Sequence, residues 1–380
     1  MKIYYWSPCL NKVGTYKSTI NSAISLAKYS KKKREIKIIN SCGEWNEQKN
    51  FLNKNNIQVV NFGYDYFKYL PKLGFFGSRF SYLIIFILSF IPLLRILIKE
   101  KPDYLVIHLI TSLPLIVNFF LRRKTKIILR ISGFPKLNFV RKFLWKINRK
   151  IIYKITCPSF GLKKQLKDLN ILPEDKIIFL ADPIIDIKLF KKKLSKIKNE
   201  IDLFNKRKFF ISVGRLTKQK NHSYLINEFK NFSMKNKEFE LLIFGEGEDK
   251  KKLENLIKKN NLENNIKLMG YSDNVLQYMK YSQAFILSSL WEDPGFVLIE
   301  AAMCNLFIIS SDCKNGPEEI LNYGMGGMLY ETNKKGELEK KLDEFLSLGE
   351  QKQKMRLSTK KNVLKYSLFR HFQTFDKILN

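Results

Sequence analysis

Two glutamates stand eight residues apart on a stretch that passes from a strand through a loop into a helix. Residues 284–287 are a short apolar run, typical of a buried parallel strand, and residues 296–304 resume the apolar pattern as a helix. Glu292 lies in the loop and Glu300 in the helix. Open α/β sheets bind ligands where the carboxyl end of a strand meets a helix N-terminus, so both carboxylates are candidate ligand-binding groups. Taken alone, the pair fits purely structural roles equally well, with Glu292 as an acid favoured at a helix start and Glu300 as a solvated helix position.

Two upstream segments carry further motifs. Residues 212–221 are Ser-Val-Gly-Arg-Leu-Thr-Lys-Gln-Lys-Asn, and residues 242–247 are Leu-Ile-Phe-Gly-Glu-Gly. Together with the strand-Glu-x7-Glu-helix stretch, they resemble the diphosphate-binding loop, the next strand and turn, and the donor signature of one family. That family is the retaining GT-B nucleotide-sugar glycosyltransferases of family 4, also called glycosyl transferases group 1. The resemblance is strong over most of the C-terminal half of the chain and loose over the N-terminal half.

The resemblance implies an α/β fold of the GT-B type, in which two doubly wound Rossmann-like domains face a central cleft and a C-terminal helix crosses back to the first domain. A chain of 380 residues also exceeds the usual size of a single core. We expect an N-terminal acceptor-binding, membrane-facing domain over residues 1–186 and a nucleotide-sugar-binding domain over residues 187–355, with a Lys-rich connection at 188–208. Residues 356–380 are expected to form the helix that packs back on the first domain. Six strands of a parallel sheet are predicted in the second domain, at 209–213, 240–244, 265–269, 284–288, 306–310 and 328–330.

The chemistry of such a transferase places negative charge on a diphosphate leaving group and positive charge on the sugar. The sequence contains no Asp-x-Asp, so we expect protein cations and helix N-termini to hold the diphosphate, with no metal and no other cofactor. Arg215 and Lys220 are the candidate cations. The resemblance implies that Glu300 accepts hydrogen bonds from the ribose hydroxyls. It also implies that Glu292, the expected catalytic residue, contacts the sugar and acts electrostatically at the anomeric centre, with no covalent intermediate.

Backbone groups complete the expected donor site. Amides at Gly295, Phe296 and Val297, at the N-terminus of the helix, are expected to meet the sugar and the phosphate. Gly14 lies in the polar turn 11–15 after the first strand, where the family commonly has two glycines. We expect Gly14 to allow close approach of the backbone to the donor.

Acceptor activation is not assigned by the sequence. Residues 102–108 are Pro-Asp-Tyr-Leu-Val-Ile-His and resemble a strand of the family that ends in histidine. His108 then either faces the cleft or is a buried structural histidine. Many family members have His-Gly at the turn where this chain has Ser132 and Gly133, so no catalytic role is carried over to that position.

The charge of the chain is large and unevenly distributed. The net charge is +33, and residues 1–180 contain 33 Lys and Arg against 9 Asp and Glu. Residues 181–380 contain 35 against 26. A positive field concentrated on one domain indicates a polyanionic partner there, either nucleic acid or an anionic membrane surface.

Two segments of the basic half are candidates for membrane contact. Residues 80–94 contain no charged residue, but this length falls short of the ~20 residues of a spanning helix, and Pro92 and Arg95 are expected to interrupt it. The segment fits a core helix or a helix in the membrane interface, and we favour the interface. Residues 141–150 alternate basic and apolar types, which fits a solvated helix face or contact with phospholipid.

These observations predict a glycosyltransferase that moves a sugar from a nucleotide sugar to a membrane-associated or polyprenyl-linked saccharide, in polysaccharide, lipopolysaccharide or capsule assembly. Five scattered cysteines indicate a reducing cytoplasm, so we expect a cytoplasmic enzyme that is peripheral on the inner face of the cell membrane. One alternative is a GT-B-like protein that binds a nucleotide sugar without turnover. The other is a basic nucleic-acid-binding protein, which the lack of a recognition motif disfavours.

Overall fold

A computed structural model describes residues 1–10, 14–71, 75–121, 125–135, 138–196 and 208–380. The chain forms two compact units, Met1–Ile184 with Tyr366–Asn380 (unit 1) and Ile185–Lys365 (unit 2). Residues 356–365 are thus grouped with unit 2, and the tail that belongs to unit 1 starts at Tyr366. Parts of the predicted turn 11–15 and connection 188–208 lie outside the described residues.

The helices and strands alternate through both units. Unit 1 begins with β1 Lys2–Trp6, α1 Gly14–Tyr29, β2 Glu35–Asn40, α2 Lys49–Lys54, β3 Ile57–Asn61, α3 Phe75–Glu100, β4 Tyr104–Ile107, α4 Ser112–Leu121, β5 Lys126–Arg130, α5 Phe139–Ile147, β6 Ile152–Cys157, α6 Phe160–Asp168 and β7 Ile177–Phe179. Unit 2 consists of α7 Ile187–Ser195, β8 Lys208–Val213, α8 His222–Lys235, β9 Phe239–Phe244, α9 Lys250–Lys259, β10 Ile266–Gly270, α10 Val275–Tyr281, β11 Ala284–Leu287, α11 Phe296–Met303, β12 Phe307–Ser311, α12 Pro317–Ile320, β13 Met328–Tyr330, α13 Glu337–Ser347 and α14 Gln351–Asn362. The chain ends with α15 Leu368–Leu379, which returns to unit 1.

Each unit has one parallel sheet. The sheet of unit 1 has the strand order β3-β2-β1-β4-β5-β6-β7, and the sheet of unit 2 has the order β10-β9-β8-β11-β12-β13. Both orders reverse direction beside the first strand of the unit, which is the doubly wound arrangement. The six strands predicted from apolar runs in unit 2 are confirmed, with ends that differ by one residue at most positions.

Apolar residues on both sides of the strands explain why helices cover both faces of the sheet in unit 1. Ile3 and Tyr5 of β1 pack in one core cluster with residues of α1 and α15. Tyr4 and Trp6 pack on the opposite face with residues of α3, α4, α5 and α6. The same strand therefore contributes to two cores, and the C-terminal helix is part of the first.

The tail is two helices separated by a short break. Helix α14 packs in unit 2, and α15 begins after Ser367, whose hydroxyl accepts a hydrogen bond from the amide of Arg370. His371 fixes α15 on unit 1, because its Nδ1 lies 2.7 Å from the Ala181 carbonyl oxygen and its Nε2 lies 2.9 Å from Ser22 Oγ. The single helix expected over residues 356–380 is therefore replaced by a helix in each unit.

Helix α3 differs from the expectation for the apolar segment. It is one helix of 26 residues with Pro92 inside it, so the interruption expected at Pro92 and Arg95 is wrong. Proline removes one intrahelical donor. Leu93 and Leu97 nevertheless pack in the core of unit 1, and this burial stabilises the helix on both sides of the proline.

One side of α3 is buried and the other exposes large apolar side chains. Within the described residues, the helix Phe76–Glu100 is the one segment long and apolar enough to cross a membrane, with a mean hydropathy of 2.4. Length and composition of this kind are also found in core helices of soluble proteins. Ile85, Leu93 and Leu97 are buried in the core of unit 1. The exposed side carries Phe76, Phe80, Leu83, Ile87 and Ile91.

Candidate functional site

The loops after β8 and β11 meet at the carboxyl edge of the sheet of unit 2. These strands are neighbours, and the chain crosses over between them, which makes this edge the topological switch point. Ser288 Oγ donates to the Lys220 carbonyl oxygen at 2.8 Å, and the Leu290 amide donates to the Gln219 carbonyl oxygen at 2.8 Å. Gln219 Nε2 also donates to the Trp291 carbonyl oxygen at 2.9 Å. The two motif loops therefore form one hydrogen-bonded structure.

An ion pair joins the two loops at their centre. Lys220 Nζ lies 2.5 Å from Glu292 Oε1, and Ser289 Oγ donates to the same oxygen at 2.6 Å. Only 5% of Glu292 is exposed. The backbone amide of Glu292 donates to the Lys314 carbonyl oxygen at 3.2 Å. The structure thus places the predicted diphosphate cation and the predicted catalytic carboxylate in direct contact.

Close backbone packing requires glycine in the loop after β8. A Cβ on Gly214 would lie 3.1 Å from Lys220 Cδ and Cε, so the lysine stem passes directly over this residue. A Cβ on Gly245, whose φ is +140°, would lie 1.9 Å from the Gly214 carbonyl oxygen. The loops after β8 and β9 are therefore in backbone contact. Arg215 follows Gly214 and is exposed.

Helix α11 presents one accessible face at the same edge of the sheet. It begins at Phe296 after Gly295, which has a φ of +97° and precedes the helix as its cap. Phe296, Val297 and Glu300 are partly exposed, and their spacing of three and four residues places them on one side of the helix. The amides of the first turn are not used by intrahelical bonds and carry partial positive charge. Glu300 thus lies on the accessible face of α11, one turn after Phe296 and Val297, whose amides point out of the helix N-terminus.

Three residues in this region were not singled out from the sequence. Ser289 and Gln219 have no motif role, yet each makes a hydrogen bond that joins the two loops. A Cβ on Gly316 would lie 2.0 Å from the Pro294 carbonyl oxygen, so this glycine allows the Glu292 loop to pack on the start of α12. The only sequence signal for Ser289 is that a small polar residue follows a buried strand.

The thiol nearest the ion pair is not a nucleophile at neutral pH. Burial first, and the charge of Glu292 second, raise the pKa of Cys313 to about 12. Cys9, Cys42 and Cys157 are also buried, and the five cysteines, all within the described residues, form no disulfide. They behave as small core residues. Over the described ranges, no group of three or more His, Cys, Asp or Glu side chains is placed to hold a metal ion.

The remaining predicted residues lie in unit 1. Gly14 is the first residue of α1, and residues 11–13 before it fall outside the described part of the chain. His108 is buried at the end of β4 and lines a cavity of about 210 Å³ together with Ser132 and Gly133. From the sequence, His108 is expected either to face the cleft or to be a buried structural histidine. The structure places it in the wall of a cavity, at the carboxyl edge of the sheet.

Comparison with known proteins finds a family match in the second half of the chain. Residues 194–362 match the family model described as glycosyl transferases group 1. An uncharacterized glycosyltransferase of Methanocaldococcus jannaschii is 46% identical over 120 residues, which are 32% of this chain and 30% of that protein. The N-acetylgalactosamine-N,N'-diacetylbacillosaminyl-diphospho-undecaprenol 4-alpha-N-acetylgalactosaminyltransferase of Campylobacter jejuni is 30% identical over 221 residues. That alignment covers 55% of this chain and 57% of the relative, so the chain spans about half the length, or less, of these two proteins.

Solved structures give the fold of the whole chain. The crystal structure of Anabaena HepE in complex with UDP superposes with a TM-score of 0.78, covering 100% of this chain and 99% of that one, at 14% identity. A glycosyltransferase from Rickettsia africae gives the same TM-score at 18% identity, covering 100% of this chain and 97% of the other. Similarity at these identities shows the fold alone. The chain therefore has the two-domain GT-B fold, and its residues 194–362 match the family model of the glycosyl transferases group 1.

Proposed function

We propose that the protein is a glycosyltransferase that moves a sugar from a nucleotide-sugar donor to a membrane-associated glycan or lipid-linked acceptor, with retention of configuration. It would act in the assembly of polysaccharide, lipopolysaccharide or capsule. The observation that carries the proposal is the Lys220–Glu292 ion pair, which joins two loops at the switch point of unit 2 beside the first turn of α11. Positive charge, a carboxylate and helix amides are thereby concentrated where doubly wound sheets bind ligands.

Unit 2 is proposed to bind the donor without a metal ion or other cofactor. Lys220, the exposed Arg215 and the first-turn amides of α11 would hold the diphosphate as its negative charge grows. Charge-assisted hydrogen bonds contribute about 1.5–3 kcal/mol each. A bond made mainly in the transition state would therefore change the rate by about 10²-fold. Glu300, on the accessible face of α11, would accept hydrogen bonds from the ribose hydroxyls.

Glu292 is proposed to act electrostatically on the sugar and not as a covalent nucleophile. Its Oε1 already accepts hydrogen bonds from Lys220 and Ser289, which fix the position of the carboxylate. A carboxylate held in this way can stabilise positive charge at the anomeric centre while Lys220 faces the leaving group. This division of roles supports a retaining reaction with no glycosyl-enzyme intermediate.

A lipid-linked acceptor is supported by one relative and by the surface of unit 1. The Campylobacter jejuni relative is named for a substrate carried on diphospho-undecaprenol. In unit 1, exposed apolar side chains of α3, α4 and α5 form what we call the apolar surface: Phe76, Phe80, Leu83, Ile87, Ile91, Phe119, Phe120, Phe139, Val140 and Phe143. Exposed Arg79, Arg95, Arg141 and Lys142 flank it on the same helices. Apolar side chains beside cations suit the interface of an anionic membrane. We propose that the protein is cytoplasmic and lies peripherally on the inner face of the cell membrane.

The double variant Phe80→Ser, Ile87→Ser should lower binding to vesicles that contain anionic phospholipid by at least about 10-fold, because two side chains that enter the interface are lost. Both residues are exposed, so the fold should be retained. Co-sedimentation with vesicles measures the change. The matched control is Met234→Ser with Leu357→Ser, two exposed apolar residues of unit 2, which should bind as the wild type does. Equal binding by both double variants would contradict the membrane assignment.

Transfer itself is tested with a panel of nucleotide sugars. Donors that raise the melting temperature of the protein would be incubated, in radiolabelled form, with the protein and a lipid extract that contains polyprenyl-linked saccharides. We expect the label to move into the lipid-linked fraction, with the anomeric configuration of the donor kept, and the rate to be unchanged by a chelator. Binding of a donor without transfer or hydrolysis would contradict the proposed activity and favour a binding protein.

A further inference from the structure

The cavity at the carboxyl ends of β4 and β5 has the chemistry of a phosphate site. We propose that it binds the phosphate group that joins lipid to sugar in the acceptor, so that unit 1 recognises the acceptor by its charged linkage. The proposal rests on the lipid-linked acceptor put forward above. It assigns a place for the phosphate that neither the motif loops of unit 2 nor the apolar surface provides.

The cavity lies beside the switch point of the sheet in unit 1. Its volume is about 210 Å³, and its wall combines loop residues with two residues of α5. His108 and Thr111 come from the loop after β4, and Ser132 comes from the loop after β5. Arg141 and Trp145 come from α5. Two hydroxyls, an imidazole and the guanidinium groups of Arg130 and Arg141 therefore surround one space at the edge where doubly wound sheets bind ligands.

His108 has unused hydrogen-bonding groups in the wall of the cavity. The residue is 6% exposed, and neither ring nitrogen has a hydrogen-bond partner among the residues that the structure describes. Burial first, and the charge of Arg130 second, lower the pKa of His108 to about 3, so the imidazole is neutral. A neutral ring offers one N–H donor and one acceptor nitrogen. Buried polar groups are rarely left unpaired, so a ligand in the cavity is the expected partner.

The positive charge that α5 brings to the cavity is that of Arg141. Arg130 also lines the space, but Asp182 pairs with its guanidinium and offsets its charge. Arg141 is exposed at the surface of α5, and a guanidinium binds two phosphate oxygens at once. A phosphate in the cavity would thus receive hydrogen bonds from Arg141, from the His108 N–H and from a hydroxyl.

The same helix carries part of the apolar surface. Phe139 is 83% exposed and Phe143 is 53% exposed, and both lie within one turn of Arg141. Residues two apart on a helix point to different sides, so these rings lie on another side of α5 than Arg141 and Trp145. The preference for a lipid-linked phosphate over a free phosphate ion therefore rests on the lipid-linked acceptor proposed above.

Farnesyl diphosphate is a short-chain probe for this site. Titration calorimetry on the full chain should show that Arg141→Gln weakens its binding by about 10- to 100-fold, because one charge-assisted contact is removed. Lys164→Gln removes the same charge from an exposed position of α6, and Lys164 does not line the cavity, so this variant should bind the probe as the wild type does. Equal affinities for all three proteins would overturn the proposal.

Two further ligands separate the sources of affinity. Farnesol lacks the diphosphate and should bind much more weakly than farnesyl diphosphate, with no dependence on Arg141. Inorganic pyrophosphate lacks the lipid and should also bind more weakly. If farnesol binds as tightly as farnesyl diphosphate, the site is only apolar and the proposal is wrong. If pyrophosphate binds as tightly and with the same dependence on Arg141, the site takes free phosphates and the lipid-linked assignment is wrong.

His108→Phe tests whether the imidazole serves a ligand or the fold. Phenylalanine keeps the size of the side chain and removes two buried nitrogens that have no partner among the described residues. The melting temperature should be unchanged or higher, while the affinity for farnesyl diphosphate falls by about 2- to 10-fold. A lower melting temperature with unchanged affinity would show a structural histidine. These binding measurements need neither a nucleotide-sugar donor nor turnover. The phosphate site can therefore be disproved while the proposed sugar transfer holds, and it can be confirmed even if no transfer is found.

Discussion

Replacing Lys220 by methionine is expected to lower the kcat of sugar transfer by about 10²- to 10³-fold, the loss typical of removing one preorganised donor from a transition state. Lys220 Nζ lies 2.5 Å from Glu292 Oε1, so the variant removes the cation and leaves the buried carboxylate without its counter-ion. Methionine keeps the apolar stem that passes over Gly214. The loss should therefore appear in kcat, measured with the donor concentration varied, and not as a general failure to fold.

Two controls separate the chemistry from the stability of this loop. Lys218 is exposed in the same loop, and Lys218→Met should keep the wild-type rate. The double variant Lys220→Met, Glu292→Gln removes both charges of the pair, so it should recover the melting temperature lost by Lys220→Met while remaining inactive. A Lys220→Met variant with wild-type kcat would show that the ion pair only holds two loops together.

Replacing Asp182 by alanine is expected to lower the free energy of unfolding of unit 1 by about 3–5 kcal/mol. Asp182 accepts hydrogen bonds from Arg130 and from Ser18 Oγ, the latter at 2.6 Å, and both Asp182 and Arg130 are buried. The variant leaves a buried guanidinium without its counter-ion. Three of the four tryptophans lie in unit 1, so tryptophan fluorescence during urea unfolding reports mainly on this unit.

The matched control for this prediction is Asp175→Ala. Asp175 is also an aspartate of unit 1 that faces a cation, since its Oδ2 lies 3.8 Å from Lys154 Nζ, but its side chain is 76% exposed. Exposed pairs contribute about 0–1 kcal/mol, so the urea midpoint should change little. Similar midpoints for Asp182→Ala and Asp175→Ala would contradict the role given to the buried pair.

The second unit was well predicted from the sequence because its signals are local. Each strand is a continuous apolar run, since both faces of a parallel sheet are buried. The motif residues also lie directly after strands. The loop after β8 carries Arg215 and Lys220, and the loop after β11 carries Glu292. Their position at one sheet edge follows from the strand order.

What the sequence did not predict depends on contacts between distant segments. From the sequence, Lys220 is expected to bind the diphosphate and Glu292 the sugar. The two residues are 72 positions apart, and no local pattern indicates that their side chains form an ion pair. Nothing local marks Asp182 as the partner of a buried cation, because Arg130 and Ser18, which donate hydrogen bonds to it, come from other elements. Helix α3 continues through Pro92 because the core of unit 1 holds it, which no local propensity reveals.

Unit 2 is proposed to bind the nucleotide-sugar donor through Arg215 and Glu300. The most direct measurement is the initial rate of transfer from the donor for Arg215→Ala and for Glu300→Ala, each compared with the wild type at saturating acceptor. We expect kcat/KM for the donor to fall by about 10²-fold in each variant, because each loses a hydrogen bond to a charged group. Wild-type rates in both variants would contradict this donor site.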